Sequence, residues 1–330
     1  MKKKLLIGLT ALALILSGCA APTGSSGEGS SAFSVSGEDV RVRVVATTYP
    51  VYLLASAVTE GIQGVRVERL DTGETSCLHD YTLSVDDMKK IENADVIVLN
   101  GVGLEEFMED ALAASDAQVI DCSQNVPLLE NLTHHHEEGE DHDHDHGHWD
   151  PHIWMDPSNA QIMVKNIEAG MKSADVASAQ EYEFNCLDAL ALLDAWDSNA
   201  RDMLTGVQAA REGFSIPGLI TFHDGFQYFC HAYDLPLLEA IEEEAGSEAS
   251  AKEILEISQM VTDEAIPVIF TEVNGSDATA NTIARETGCR VAQLTMMMDG
   301  PDAELSNYLD GLMENMMAVV NGFAGEEVVQ

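Results

Sequence analysis

Positive charge is what this chain has least of. Its 330 residues carry 16 Lys and Arg against 57 Asp and Glu, a formal net charge of −41. A surface that binds nucleic acid must present a basic face to phosphate, so this balance argues against nucleic acid and leaves cations open as partners. Nucleotide fingerprints are missing as well: no Gly-x-Gly-x-x-Gly follows the first predicted strand, and there is no P-loop. Nor is there a His-Glu-x-x-His pair, which would place two zinc ligands and a general base on one helix, so a zinc-dependent hydrolase lacks its usual signature. Between His134 and Gly147 no apolar residue occurs. Such a stretch cannot bury a core and is expected to be a solvated loop.

What is present suits two globular domains. Apolar residues make up 45% of the chain, and the length allows two sizeable cores. The N-terminus reads as an export signal. Lys2, Lys3 and Lys4 precede an apolar run from Leu5 to Leu16, too short to span a bilayer as a mature helix. Leu16-Ser17-Gly18-Cys19 resembles the lipobox of bacterial lipoproteins, which implies cleavage before Cys19 and a lipid on its thiol. Residues 1–18 are then a signal peptide. The Gly/Ser-rich stretch 19–39 reads as a flexible tether to the outer face of the cytoplasmic membrane.

From residue 40 the chain alternates strand and helix. Arg41–Thr47 is β-branched and alternating, Gly64–Leu70 is a second strand, and Ala94–Gly101 is an apolar run closed by Gly, as expected of a buried parallel strand. Ala117–Asp121 is a fourth. Helices are predicted from Tyr49 to about Thr59, Val85–Glu92 and Leu104–Ala114. Two more helices follow the Trp149–Pro157 turn. In the second, from about Val176 to Val207, apolar residues keep helical spacing over some eight turns, a length suited to a strut between domains. A second unit has strands at Gly218–Phe222, Ile266–Glu272 and Cys289–Leu294, with helices near Phe226–Tyr233, Ala251–Asp263, Ala278–Thr287 and Leu305–Phe323. The pattern predicts an α/β protein with parallel sheets. Its expected divisions are a lobe at 40–175, a linking helix at 176–208 and a lobe at 209–330.

Histidine marks the candidate chemistry. Seven of eleven fall between residues 134 and 148 (His134, His135, His136, His142, His144, His146 and His148), interleaved with carboxylates. This density makes weak binding of several metal ions nearly unavoidable at neutral pH. The stretch runs into Asp150-Pro151-His152-Ile153-Trp154-Met155-Asp156-Pro157, where Trp and Pro around one His suggest a fixed turn. Outside the loop remain His79, His152, His223 and His231. His79 follows the second predicted strand and His223 follows the strand at 219–222, and open α/β sheets bind ligands beyond the carboxyl ends of their strands. Three imidazoles and a carboxylate converging there would suit zinc.

The stretches Gly73…His79-Asp80-Tyr81, Ala94–Glu105, Asp150–Pro157 and Thr221-Phe222-His223-Asp224-Gly225-Phe226-Gln227-Tyr228-Phe229 resemble, in order, the zinc/manganese solute-binding lipoproteins of bacterial ABC importers. The likeness runs from Val40 to about Phe323. It implies two four-stranded α/β lobes joined by a long rigid helix, with the metal between them and His79, His152 and His223 as ligands. It further implies that the protein is not an enzyme but a monomeric extracytoplasmic component handing Zn2+ to a membrane permease and its ATPase. His rather than a carboxylate at position 223 favours Zn2+ over Mn2+ in this family, and so does the His-rich insertion. Two departures stand out. Leu78 replaces the family's Pro before the first His. The family's fourth ligand, a carboxylate after the last strand, has Asp299 as its best counterpart here, with Glu272 or a water as alternatives. Asp224 is a candidate to orient His223, and Asp156 to form its turn. A manganese-binding member of the family, a surface zinc buffer or adhesin, and a zinc hydrolase are the competing readings. With Cys19 lipidated, five cysteines remain, so at least one is free or paired outside the chain.

Overall fold

The computed structural model describes residues 40–72, 78, 81–132, 148–242, 249–300 and 302–330. Cys19 and the tether, Cys77, His79, and His134, His135, His136, His142, His144 and His146 lie outside the described residues.

The first lobe is built on β1 (Val42–Ala46), α1 (Tyr49–Thr59), β2 (Val65–Arg69), α2 (Val85–Glu92), β3 (Val96–Leu99), α3 (Glu109–Ala114) and β4 (Gln118–Asp121). All pairings are parallel, in the order β2-β1-β3-β4. Local chemistry sets the boundaries. Thr48 caps α1 by accepting from the Val51 amide, with Pro50 in the first turn, where a missing N–H costs nothing. Ser84 and Asp87 form a reciprocal capping box on α2. The stretch expected to be helical from Leu104 yields only a single 3-10 turn before α3, because Gly101, Val102 and Gly103 all have positive φ and spend the preceding residues on a tight turn. Gly101 is required there: its φ is +88°, and a Cβ would fall against Asp121 Oδ1 and Ser123 Oγ.

Two long helices follow, α4 (Pro157–Ala174) and α5 (Ala179–Ala210). A 3-10 turn over Val176–Ser178 separates them, so α5 starts three residues later than its apolar periodicity suggests. Its buried face is Tyr182, Cys186, Ala189, Leu193, Trp196, Ala200, Leu204 and Val207. Along it lie α1 and α4 of the first lobe, and the last helix of the second lobe.

That second lobe comprises β5 (Leu219–His223), α6 (Gln227–Ala232), β6 (Leu237–Glu242), α7 (Ala251–Asp263), β7 (Val268–Glu272), α8 (Ala278–Thr287), β8 (Arg290–Leu294) and α9 (Leu305–Ala324). Its sheet is again wholly parallel, ordered β6-β5-β7-β8. β6 escapes a sequence reading because LLEAIE has one β-branched residue and two carboxylates. It forms as the sheet's edge, beside β5, which is buried throughout. The fold is therefore the expected one, two parallel α/β sheets and a long helix between them in the chain. Cys122, Cys186 and Cys230 are buried free thiols, and Cys289 is a partly exposed one.

In each sheet the strand order reverses at the first strand, between β1 and β3 and between β5 and β7. Crevices at such reversals, beyond the carboxyl ends of the strands, are where open α/β sheets hold ligands. His223 ends β5 and Glu272 ends β7, so both stand at the second sheet's reversal.

Candidate metal centre

The first half of the site hangs from the end of β3. Glu105 is buried, and its carboxylate accepts from Thr47 Oγ1 at 2.6 Å, the Asn100 amide at 2.7 Å and the Gly101 amide at 3.0 Å. Burial pushes its pKa up to about 7, against the lowering effect of these three donors. The carboxylate so holds the turn after β3 that Asn100 Nδ2 can donate to the Pro151 carbonyl at 2.9 Å. Pro151 precedes His152. From the second lobe, the Tyr228 hydroxyl donates to the Asp150 carbonyl at 3.0 Å and the Tyr308 hydroxyl to the Trp154 carbonyl. The Asp150–Pro157 turn is thus fixed from both lobes, and Trp154 within it is fully buried.

Asp150 orients the imidazole. One oxygen, Oδ1, accepts from the His152 amide at 2.8 Å and lies 2.7 Å from His152 Nδ1. With Nδ1–H donated there, Nε2 carries the lone pair. Burial alone would lower the pKa of His152; the Asp150 carboxylate outweighs it, aided by Asp224 and Glu272, and the net shift is upward. Because the outer partner of a ligating His fixes its tautomer and raises its basicity, Asp150→Asn is expected to weaken metal binding by about 10–100-fold. The check is a metal titration of the variant beside a melting curve showing that the fold is intact; unchanged affinity would leave Asp150 a purely structural residue.

His223 Nε2 lies 3.3 Å from His152 Nε2, and the rings meet edge to face at 5.0 Å between centroids. Both histidines are more than nine-tenths buried. Asp224 completes the group: one donor atom from each of His152, His223 and Asp224 lies within 4.8 Å of the others. Its carboxylate is 3.8 Å from His223 Nδ1, beyond hydrogen-bond length, so it stands as part of the donor group rather than as the expected orienter of the ring. Glu272 is buried and close enough to act on the charge of His152.

The structure does not bring Asp299 into this group. Its Oδ1 sits 2.6 Å from Arg69 Nη2, and the side chain is about a third exposed. Arg69 also donates to the Gly300 carbonyl and lies over the Tyr49 ring, 4.8 Å from its centroid, while the Tyr49 hydroxyl donates to the Asp302 carbonyl. Asp299 thereby joins the lobes through a basic residue at the end of β2. Nothing in the sequence near residue 299 could reveal this partner, 230 positions away. Asp156 caps α4, with Oδ1 2.7 Å from the Ser158 amide. His231 is exposed on α6. Leu78, which precedes His79, is fully buried in the core.

The residues that flank the His-rich stretch meet one another. Glu130 and Trp149 form an antiparallel bridge, the Asn131 amide donates to the His148 carbonyl, and the Asp150 amide donates to the Leu129 carbonyl. His148, the one member of the run among the described residues, is largely exposed against Trp149 and 3.8 Å from Glu130 Oε1. The base of the loop is thus two residues from His152.

A family model described as ZnuA, zinc-uptake complex component A, periplasmic, matches residues 44–322. The zinc-binding protein AdcA of Streptococcus pyogenes serotype M3 is 26% identical over 314 residues, covering 88% of this chain but 58% of AdcA, so the chain spans under two thirds of that relative's length. The high-affinity zinc uptake system protein ZnuA of Bacillus subtilis is 27% identical over 320 residues, covering 92% of this chain and 95% of the relative. Among solved structures, FpvC of Pseudomonas aeruginosa in complex with Mn2+ gives a TM-score of 0.72 at 24% identity, and a crystal structure of ZnuA gives 0.70 at 23%. Each covers 86% of this chain and 99% of its own, and each likeness shows the shared fold. With a family model spanning most of its length, the chain belongs to the ZnuA family of periplasmic zinc-uptake complex components.

Proposed function

We propose that this protein is the extracytoplasmic zinc-binding component of a metal ABC importer. It captures Zn2+ and delivers it to a membrane permease powered by an ATPase, and it catalyses no reaction. The observation that carries this reading is the 3.3 Å between the Nε2 atoms of two buried imidazoles. Two nitrogens each 2.0–2.1 Å from one zinc ion at the tetrahedral angle stand about 3.3 Å apart, so His152 and His223 are spaced as two ligands of one ion. The carboxylate of Asp224 and the nearby charge of Glu272 would offset part of the ion's charge. His79 is the third ligand in this reading, from its place in the sequence. The fourth position goes to a carboxylate, for which Asp224 and Glu272 have a better claim than Asp299, already engaged by Arg69.

Family membership supports the transport role, and the names of the AdcA and ZnuA relatives support zinc as the cargo. Neutral imidazole suits zinc better than manganese, which prefers oxygen. The His-rich run at 134–148 collects ions beside the site. Cys19 carries the lipid that holds the monomeric protein outside the cytoplasmic membrane, with 19–39 as its leash.

Calorimetric titration of the metal-stripped protein with Zn2+ and with Mn2+ tests the reading. One tight zinc site, several weak ones and poor manganese binding are expected. Weak multiple binding alone would mean that the isolated histidines do not converge on one ion, and would turn the reading toward a surface buffer.

A further inference from the structure

We infer that Tyr228, with Tyr308 as its counterpart, is a positioning residue for the metal ligands: from the second lobe it fixes the spacing between His152 and His223 through the backbone of Asp150. The inference rests on His152 and His223 being metal ligands. His152 lies between β4 and α4 in the chain, whereas His223 ends β5 of the other sheet. Something must therefore hold the two Nε2 atoms at 3.3 Å, because ligand distances that stray by more than about 0.2 Å spoil a metal position. Tyr228 is tied closely to His223. A 3-10 turn over Asp224–Phe226 follows β5, and α6 starts at Gln227. That turn is closed against the imidazole: a Cβ on Gly225 would fall 2.9 Å from Cδ2 of His223. Tyr228 is buried in the first turn of α6, and this helix packs on the turn Ile153–Met155 that follows His152.

At its other end the Tyr228 hydroxyl closes a ring of three hydrogen bonds. It donates to the Asp150 carbonyl at 3.0 Å and accepts from the Leu129 amide at 3.0 Å, and the Asp150 amide donates to the Leu129 carbonyl at 3.0 Å. Burial pushes the phenol pKa up to about 12, so the hydroxyl keeps its proton. The backbone of Asp150 matters because its side chain has no other guide. Oδ1 serves both the amide and Nδ1 of His152, and Oδ2 is buried with no donor. The aim of the carboxylate, and with it the tilt of the His152 ring, follows the backbone that Tyr228 holds. Tyr308 of α9 makes the matching bond on the far side of His152, to the Trp154 carbonyl. The lobe that carries His223 thus grips the His152 turn before and after the imidazole.

The test compares Tyr228→Phe with Tyr233→Phe. Both remove a buried hydroxyl and keep the ring, but Tyr233, at the end of α6, has its hydroxyl beside Asp197 of α5 rather than on the His152 turn. Zn2+ affinity is read by competition with a chelating dye. The geometry of the site is read from the visible bands of protein saturated with Co2+, which a loss of stability alone does not move. Melting curves of the metal-free proteins show that each is folded. We expect Tyr228→Phe to bind Zn2+ at least about tenfold more weakly and to alter the Co2+ bands, with Tyr233→Phe matching the wild type on both. No change, a change in only one of the two readings, or an equal effect from Tyr233→Phe would overturn the positioning role. If Tyr228→Phe does not fold, Tyr308→Phe carries the same expectation and the same two readings decide. A wild type with neither tight Zn2+ binding nor Co2+ bands would overturn the metal reading beneath.

Discussion

Exchange of His152 for Ala is expected to abolish tight binding of one Zn2+, lowering affinity by more than about 100-fold, the upper end of what loss of a ligand's outer partner alone costs. Three features concentrate the effect on this residue. Its Nε2 faces that of His223, Asp150 holds its other nitrogen, and the turn carrying it is bonded from both lobes. Removal of residues 134–147 is expected to do the opposite, sparing the tight site and eliminating only weak ions. That cut keeps His148, whose carbonyl closes the base of the loop on Asn131, and leaves the bridge between Glu130 and Trp149 intact. Calorimetry on both variants decides the matter. Equal loss from the two would overturn the division between a collecting loop and a fixed site.

Replacement of Glu105 by Ala is expected to lower stability strongly. It would leave the Thr47 hydroxyl and the amides of Asn100 and Gly101 without their acceptor, two of them in fully buried surroundings. A buried donor left unmade costs about 1–3 kcal/mol, so a loss of about 3 kcal/mol or more is expected, seen as a fall in Tm of several degrees. The same carboxyl gives the wild type a pH dependence of definite sign. Its folded pKa, raised to about 7 chiefly by burial, lies above the ordinary carboxylate value, so the folded protein binds more protons than the unfolded chain between those limits. Its contribution to stability is complete in acid below the ordinary value, and it is lost as pH rises through about 7. Chemical denaturation at a series of pH values, wild type against Glu105→Gln, should show this slope only in the wild type. A variant as stable as the wild type with the same pH profile would remove Glu105 from this role. Because the turn it holds carries Asn100, which braces Pro151 beside His152, Glu105→Ala should loosen the metal position as well.

Much of the architecture is legible in the sequence because it is written in local chemistry. Ser84 with Asp87, and Ser250 with Glu253, are capping boxes readable from spacing, and the helices they start match their predicted limits. The apolar spacing of α5 foretells most of its buried face, with Leu190 only partly buried at its margin, because helical period and burial are one geometric fact. β6 fails on the same ground: its residues have no strand preference of their own and pair because β5 is there to receive them.

The candidate site divides along the same line. By itself the sequence determined which residues could bind a metal, since imidazole and carboxylate chemistry belongs to the side chain, and it placed His152 in a fixed turn and His223 just after a strand. Only the tertiary structure decided which of them meet. The lobes had to pack before His152 and His223, 71 positions apart, could come within 3.3 Å. The same packing assigned Asp299 to Arg69. A carboxylate carries no local signal of its partner, because the partner is supplied by a surface that exists only when the chain is folded.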